Sequence, residues 1–215
     1  VHRSCVDLVL AQIDGASDPF AEAYCHYALI ECCASRKASG LMEAVEDALG
    51  AAFEAGEVSN AVIASSGQQS AALWKLRESI PEAQKLAGAG LKHDISVPLT
   101  NVPEFLEKAT GIDEAMITGV NVIPFGHIGD GNIHFNLSRP PKTDGAEMMA
   151  KAHDLEVAIH DLAVQLDGSF SAEHGIGKLK RGELARYKSK VEFDLMRKIK
   201  VALDPKNTMN PGKVL

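Results

Sequence analysis

The sequence predicts an α+β fold, an antiparallel sheet flanked by helices, and three observations carry that expectation. Asp130-Gly131 is the signal of a two-residue primed β-turn, which joins antiparallel strands. Leu91, His93, Ile95 and Val97 alternate with Lys92, Asp94 and Ser96, the period of a strand with one apolar and one polar face. Met148, Ala152, Leu155, Ile159, Leu162 and Leu166 recur at 4-3-4-3-4 spacing, the stripe of a helix laid on a core. Strand and helix signals alternate along the chain, but the hairpin demands an antiparallel pair. That favours α+β over a doubly wound parallel sheet.

The elements follow in chain order. Val6 to Ile13 fits a short helix or strand, and Tyr27 to Cys33 reads as a buried strand. Ser35 to Gly40 is a polar loop. Leu41, Val45, Ala48, Leu49, Ala52 and Phe53 have the spacing of an amphipathic helix, and Ala61 to Ala64 gives another short strand. A helix resumes near Gln68, with Leu73, Leu76 and Ile80 on one stripe. After the strand Leu91 to Val97, Thr100 and Asn101 are placed to cap a helix running to about Thr110, with Pro103 in its first turn. A strand from Ile117 to Phe125 enters the hairpin, whose second arm ends near Pro140. A long helix spans about Asp144 to Leu166, and a short strand near Ser169 to Ala172 leads to Glu173-His174-Gly175-Ile176-Gly177. The last helix, about Val191 to Leu203, stops at Asp204-Pro205 before a turn-rich tail.

Composition excludes several classes of function. The chain has 215 residues, of which 46% are hydrophobic and 24% charged, ordinary for a globular protein with a sizeable core. A net charge of -7 without a basic run argues against nucleic-acid binding. No apolar run approaches the roughly 20 residues of a membrane-spanning helix. Cys5, Cys25, Cys32 and Cys33 lack CxxC spacing, and adjacent Cys32-Cys33 reads as small core residues. A reducing compartment is the default. Starting at Val1 without a signal pattern, the chain is expected to be a fragment or a processed product.

Chemistry centres on the hairpin Gly126-His127-Ile128-Gly129-Asp130-Gly131-Asn132-Ile133-His134. A two-residue turn at Asp130-Gly131 places His127 directly opposite His134, with Cβ atoms about 4.5–5.5 Å apart. The same register sets Phe125 opposite Asn136 on the histidine face. Imidazole is a common ligand of zinc, iron and manganese, and Glu173, ahead of two glycines, is the best carboxylate to complete such a set. Two histidines and a glutamate with open positions make a catalytic rather than a structural metal site. The alternative is a pair of hydrogen-bonded hairpin histidines.

His153 and His160, with Glu156, form a competing set, which reads instead as a solvated helix face. His174 is a candidate general base, because an unperturbed imidazole titrates near neutral pH, or is a loop histidine. Gly175-Ile176-Gly177 lacks the βαβ context of a dinucleotide site. Arg77, three residues after Trp74, and Lys92 on the polar strand face are candidate carboxylate-binding cations; surface charge is the plainer reading of each.

Four segments in order resemble the C-terminal domain of FAD-linked D-2-hydroxyacid dehydrogenases, within the vanillyl-alcohol oxidase superfamily. They are Trp74-Lys75-Leu76-Arg77-Glu78, Gly126 through Asn136, Ser171-Ala172-Glu173-His174-Gly175-Ile176-Gly177, and Asp204 through Lys213. The group includes D-lactate dehydrogenases, glycolate oxidase flavin subunits and D-2-hydroxyglutarate dehydrogenases. The resemblance implies that residues 1–215 form a substrate cap whose flavin-binding domain lies upstream. It implies a divalent metal, zinc or manganese, on His127, His134 and Glu173. It assigns substrate binding to Arg77, Lys92, Asn136 and His174, with His174 as proton acceptor, and turns Asn132 and Asn210 toward the cofactor.

Further expectations are a small 2-hydroxy acid as substrate, FAD as cofactor, a redox acceptor protein or quinone, a possible homodimer, and a cytoplasmic location, mitochondrial in a eukaryote. Members handling hydroxyglutarate carry a hydroxylated residue where Pro81 stands here. Proline cannot donate a hydrogen bond, which argues against preference for that dicarboxylate. Two other readings stand beside this one: a stand-alone metal-dependent hydrolase and a non-catalytic binding domain.

Overall fold

In the computed structural model, which describes residues 1–36, 40–88 and 90–215, the chain divides into two units. The first comprises Val1–Ala89 with Ile123–Phe125, and the second Gly90–Val122 with Gly126–Leu215.

The first unit is helical. It holds α1 (Arg3–Gln12), α2 (Leu41–Glu54), α3 (Gly67–Glu78) and α4 (Ile80–Ala87). Its core joins Cys5 and Val9 of α1 to Ile80 and Ala83 of α4 and to Ile123 and Phe125. The Cys5 thiol donates to the Pro124 carbonyl at 3.2 Å, and burial pushes its pKa up to about 12, so it is an inert core group.

Two expected strands are not formed here. Tyr27 to Cys33 is largely exposed: Tyr27 is tied to Val1 through backbone bonds and to Arg3 through its hydroxyl, and the rest of the run has no ladder partner. An apolar run without a neighbouring strand has no hydrogen-bonded edge to join, so Ile30 is 69% exposed and Cys32 and Cys33 are exposed free thiols rather than core residues. Ala61 to Ala64 is likewise irregular. The loop expected at Ser35 to Gly40 lies partly outside the described residues.

The second unit carries the sheet. The strands are β1 (Gly90–Ser96), β2 (Asn121–His127, of which Ile123–Phe125 count with the first unit) and β3 (Asn132–Ser138), in the order β1-β3-β2. Its helices are α5 (Val102–Met116), α6 (Ala146–Ala150), α7 (Ala152–Gln165), α8 (Arg181–Tyr187) and α9 (Lys190–Leu203). Asn101 does not cap α5 with its side chain; its amide donates instead to the Leu166 carbonyl at 3.0 Å. The single long helix expected from Asp144 is broken at Lys151, whose ammonium donates to the Met116 carbonyl at the end of α5.

The stripe still serves its purpose. Met148, Leu155, Ile159 and Leu162 are buried with Phe105 and Ala109 of α5 against Ile95, Ile133, Phe135 and Leu137 of the sheet. One sheet face is thereby sealed and the other left for polar groups. α9 starts with a capping box, Ser189 accepting from the Glu192 amide and Glu192 from the Ser189 amide. Among the described residues no helix is long and apolar enough to cross a membrane.

Candidate active site

Strand register decides which polar groups meet. β1 pairs antiparallel with β3, matching Lys92 to Asn136, Asp94 to His134 and Ser96 to Asn132. Because side chains alternate, these six share the face opposite the apolar core.

Asp94 is the organising residue of that face, and it has no exposed surface. Its Oδ2 accepts from the backbone amides of Glu173 and His174, both at 2.7 Å, and its Oδ1 from the Asn132 amide at 3.2 Å. Its own carbonyl accepts from the Ala172 amide at 3.1 Å. Burial alone would raise the carboxyl pKa. The amides of His174 and Glu173, the nearby His174 ring and the Asn132 amide outweigh it and hold the value below the ordinary carboxylate range. The chain reaches Asp94 through a single bridge, Ser96 with Ser169, rather than the expected strand of Ser169 to Ala172.

The tethered loop presents Glu173 to both hairpin histidines. Its Oε1 lies 3.4 Å from His127 Nδ1 and its Oε2 lies 3.7 Å from His134 Nε2. The histidines meet differently from the expectation. The turn is a 3-10 segment, Ile128–Asp130, closed by Gly131, not a two-residue turn. The reason is tertiary: Gly131 docks on the end of β1, its carbonyl accepting from the Val97 amide, and a Cβ there would meet the Val97 carbonyl oxygen at 2.0 Å. Gly126 consequently lies against Asn132 and Ile133, so His127 is not directly opposite His134. Glu173 spans the offset, reaching both rings.

The donor chemistry fits a divalent metal. Zinc bonds of about 2.0–2.2 Å at tetrahedral angles set neighbouring ligand atoms roughly 3.3–3.5 Å apart. The His127–Glu173 separation of 3.4 Å matches and the His134–Glu173 separation of 3.7 Å is close. His127 and His134 approach different oxygens of Glu173, and on this face the three residues with donor atoms all within 4.8 Å of one another are instead Asp94, His134 and His174. In that grouping both Asp94 oxygens already accept hydrogen bonds, so Asp94 is suited to orienting and Glu173 to ligation. The His174 ring stacks on His134, centroids 5.7 Å apart and planes 22° from parallel, with Nδ1 3.9 Å from Asp94 Oδ2.

A family model, FAD linked oxidases, C-terminal domain, matches residues 1–214. The chain belongs to that family. A D-2-hydroxyglutarate dehydrogenase of Xanthomonas citri pv. viticola is 40% identical over 204 residues, which cover 93% of this chain and 42% of that protein. The mitochondrial D-2-hydroxyglutarate dehydrogenase of Arabidopsis thaliana is 36% identical over 215 residues, covering 100% of this chain and 37% of that protein. That of Stutzerimonas stutzeri is 36% identical over 214 residues, 97% of this chain and 45% of the relative. The chain therefore spans less than half the length of these relatives.

Within this FAD-linked oxidase domain the remaining expected residues are placed as follows. Lys92 is exposed at the edge of the Asp94 face, paired with buried Asn136. Asn132 is buried, its amide donating to Asp94 while its Oδ1 has no partner. Arg77 belongs to the first unit, where its guanidinium lies 4.8 Å from the Phe125 ring centroid. Asn210 is exposed in the tail, with φ 49°. The tail is anchored by Asp204, which accepts from the Thr208 and Met209 amides and from Lys200.

Sequence reasoning missed Asp94 and Asp204. Asp94 sits in an alternating strand as an ordinary polar-face residue, and only its immediate pairing with His134 distinguishes it. The solvated helix face expected around His153, Glu156 and His160 also needs correction: His153 is exposed, but His160 is 1% exposed and packs edge-on against His93. β1's inward-facing His93 draws that side of α7 into the core.

Proposed function

We propose that this chain is the substrate- and metal-binding half of an FAD-dependent dehydrogenase that oxidises a D-2-hydroxy acid to a 2-oxo acid. The observation that supports it is the reach of the Glu173 carboxylate to both His127 and His134, with His174 next on the same loop and stacked over His134. Family membership supports the flavin.

Zinc or manganese held by His127, His134 and Glu173 would supply Lewis-acid polarisation of the substrate hydroxyl. FAD, carried by a separate flavin-binding domain, would supply the hydride acceptor. The rest falls to this chain's residues. His174 turns Nδ1 toward Asp94, which leaves Nε2 to take the hydroxyl proton, and Asp94 places negative charge where the imidazolium forms. Lys92 and Arg77 are assigned to carboxylate binding, Arg77 for its planar fork, and Asn136 to the neighbouring oxygen. Asn132 supports the site through Asp94, and Asn210 is assigned to the cofactor side. A redox protein or quinone is assigned as final electron acceptor, and the location as cytoplasmic, mitochondrial in a eukaryotic source.

The relatives' names favour 2-hydroxyglutarate as substrate, while Pro81, in the first turn of α4, removes a donor that such a dicarboxylate would use. The test is flavin bleaching of the protein joined to its flavin domain, with the D and L forms of 2-hydroxyglutarate and lactate. Bleaching by a D substrate alone is expected; bleaching by L substrates alone, or none, refutes the proposal. Glu173→Ala should lose the metal, and unchanged metal content refutes the ligand assignment.

A further inference from the structure

α7 and α8 carry a cluster that the reaction does not use. Glu156 and His160, four residues apart on α7, project from the same face, and α8 brings Glu183 to them. One donor atom from each lies within 4.8 Å of the other two. His160 is 1% exposed, and its Nδ1 has no hydrogen-bond partner. Behind it, His93 is 3% exposed with both ring nitrogens unpartnered, its ring edge-on to His160 at 5.9 Å. The buried His160 imidazole, its Nδ1 unpartnered, stands with two carboxylates in one donor set.

We propose that Glu156, His160 and Glu183 form a second divalent-cation site, of zinc type, that staples α8 to α7. One nitrogen and two carboxylate oxygens are within the ligand range of zinc, and three protein ligands leave a position for water. The carboxylates repel each other without a cation: burial, and then the charge of Glu183, raise the Glu156 carboxyl pKa. Lys180 is the nearest competing charge, but its ammonium donates to the Phe170 carbonyl at 2.8 Å.

The staple has a consequence for the active site. α7 ends at Gln165 and α8 begins at Arg181, so the segment between them carries Glu173 and His174. Fixing the two helices fixes both ends of that segment. The ligands are distinct from His127, His134 and Glu173, so the inference stands apart from the proposed dehydrogenase chemistry.

The test is Zn²⁺ stoichiometry of chelator-stripped protein by equilibrium dialysis, with melting temperature as second readout. In the His134→Ala/Glu173→Ala background, which silences the other set, one Zn²⁺ per chain is expected, and added Zn²⁺ should raise the melting temperature. Adding Glu183→Gln should weaken that binding by more than about 100-fold, beyond the effect of losing an outer-shell partner. It should also abolish the Zn²⁺-dependent rise. Glu156→Gln, a change to the other carboxylate, should do the same if the first variant misfolds. A background protein that binds no Zn²⁺ overturns the proposal. So does a well-folded Glu183→Gln or Glu156→Gln variant with undiminished binding; Lys180 would then be the resident cation.

Discussion

Replacing Asp94 tests how the active-site loop is held. Asp94→Ala removes two 2.7 Å hydrogen bonds from the Glu173 and His174 amides and a third from Asn132, at a position with no exposed surface. Hydrogen bonds to a charged group are worth about 1.5–3 kcal/mol each, so the two amide bonds alone set a loss of about 3–6 kcal/mol. Asp94→Asn keeps the shape. Its carbonyl can face both amides, and Asn132 can turn its unpartnered Oδ1 toward the new NH₂ group, so only the charge contribution is lost, about 1–3 kcal/mol. Urea unfolding at pH 7 should rank wild type above Asp94→Asn above Asp94→Ala, and Asp94→Ala should bind metal more weakly because Glu173 is released, while Asp94→Asn, which keeps the loop tethered, should lose less affinity. A loss below about 1 kcal/mol for Asp94→Ala, or equal losses for the two variants, refutes the reasoning. The folded pKa of Asp94 is depressed, so its contribution is complete above about pH 4 and disappears as pH falls through the folded value. Asp94→Asn should lack that stretch of pH dependence.

Three further outcomes follow from buried groups and close approaches. Asp113, on α5, is fully buried with both oxygens unpartnered, and burial pushes its pKa up to about 7. Its folded value is raised, so stability is lost as pH climbs from about 4 through 7; Asp113→Asn should gain roughly 2–4 kcal/mol relative to wild type on going from pH 4 to pH 8, measured by urea midpoints. Burial, reinforced by the charges of His160 and Lys180, holds His93 at about 3, so its neutral form stabilises the fold above pH 6.5 and that stabilisation is lost as pH falls through the folded value. His93→Phe should show a shallower loss of stability between those limits, and an unchanged slope would contradict the assignment. At Gly126 a Cβ would stand 2.0 Å from the Asn132 carbonyl oxygen, so Gly126→Ala should cost roughly 2 kcal/mol or more and weaken metal binding, by calorimetry, as His127 moves away from Glu173.

Much of the second unit was legible because its periodicities are local. The alternation of Leu91 to Val97 names the inward face of β1, and the spacing from Met148 to Leu162 names the helical faces that cover it. The first unit was less legible. Tyr27 to Cys33 and Ala61 to Ala64 have the composition of strands, but a strand is a pairing, and no short window says whether a partner will arrive. Helices need no such partner: the one from Leu41 formed as expected, α1 took the helical of its two expected forms, and the helix from Gln68 formed but breaks at Ser79, so that Ile80 opens α4.

At the site, the sequence by itself determined the identities and the face: two histidines placed symmetrically about an Asp-Gly turn, and a Glu-His pair ahead of two glycines. Tertiary structure decided how they meet. Gly131 docks on Val97 and the turn lengthens, which takes His127 out of direct opposition to His134, and buried Asp94 draws the Glu173 and His174 amides onto the sheet. The physical reason is that the face follows from the two-residue repeat of a strand, a local property. The hairpin's geometry instead depends on the contact of Gly131 with Val97, and the loop's position on hydrogen bonds between groups 79 and 80 positions apart, which no local pattern encodes.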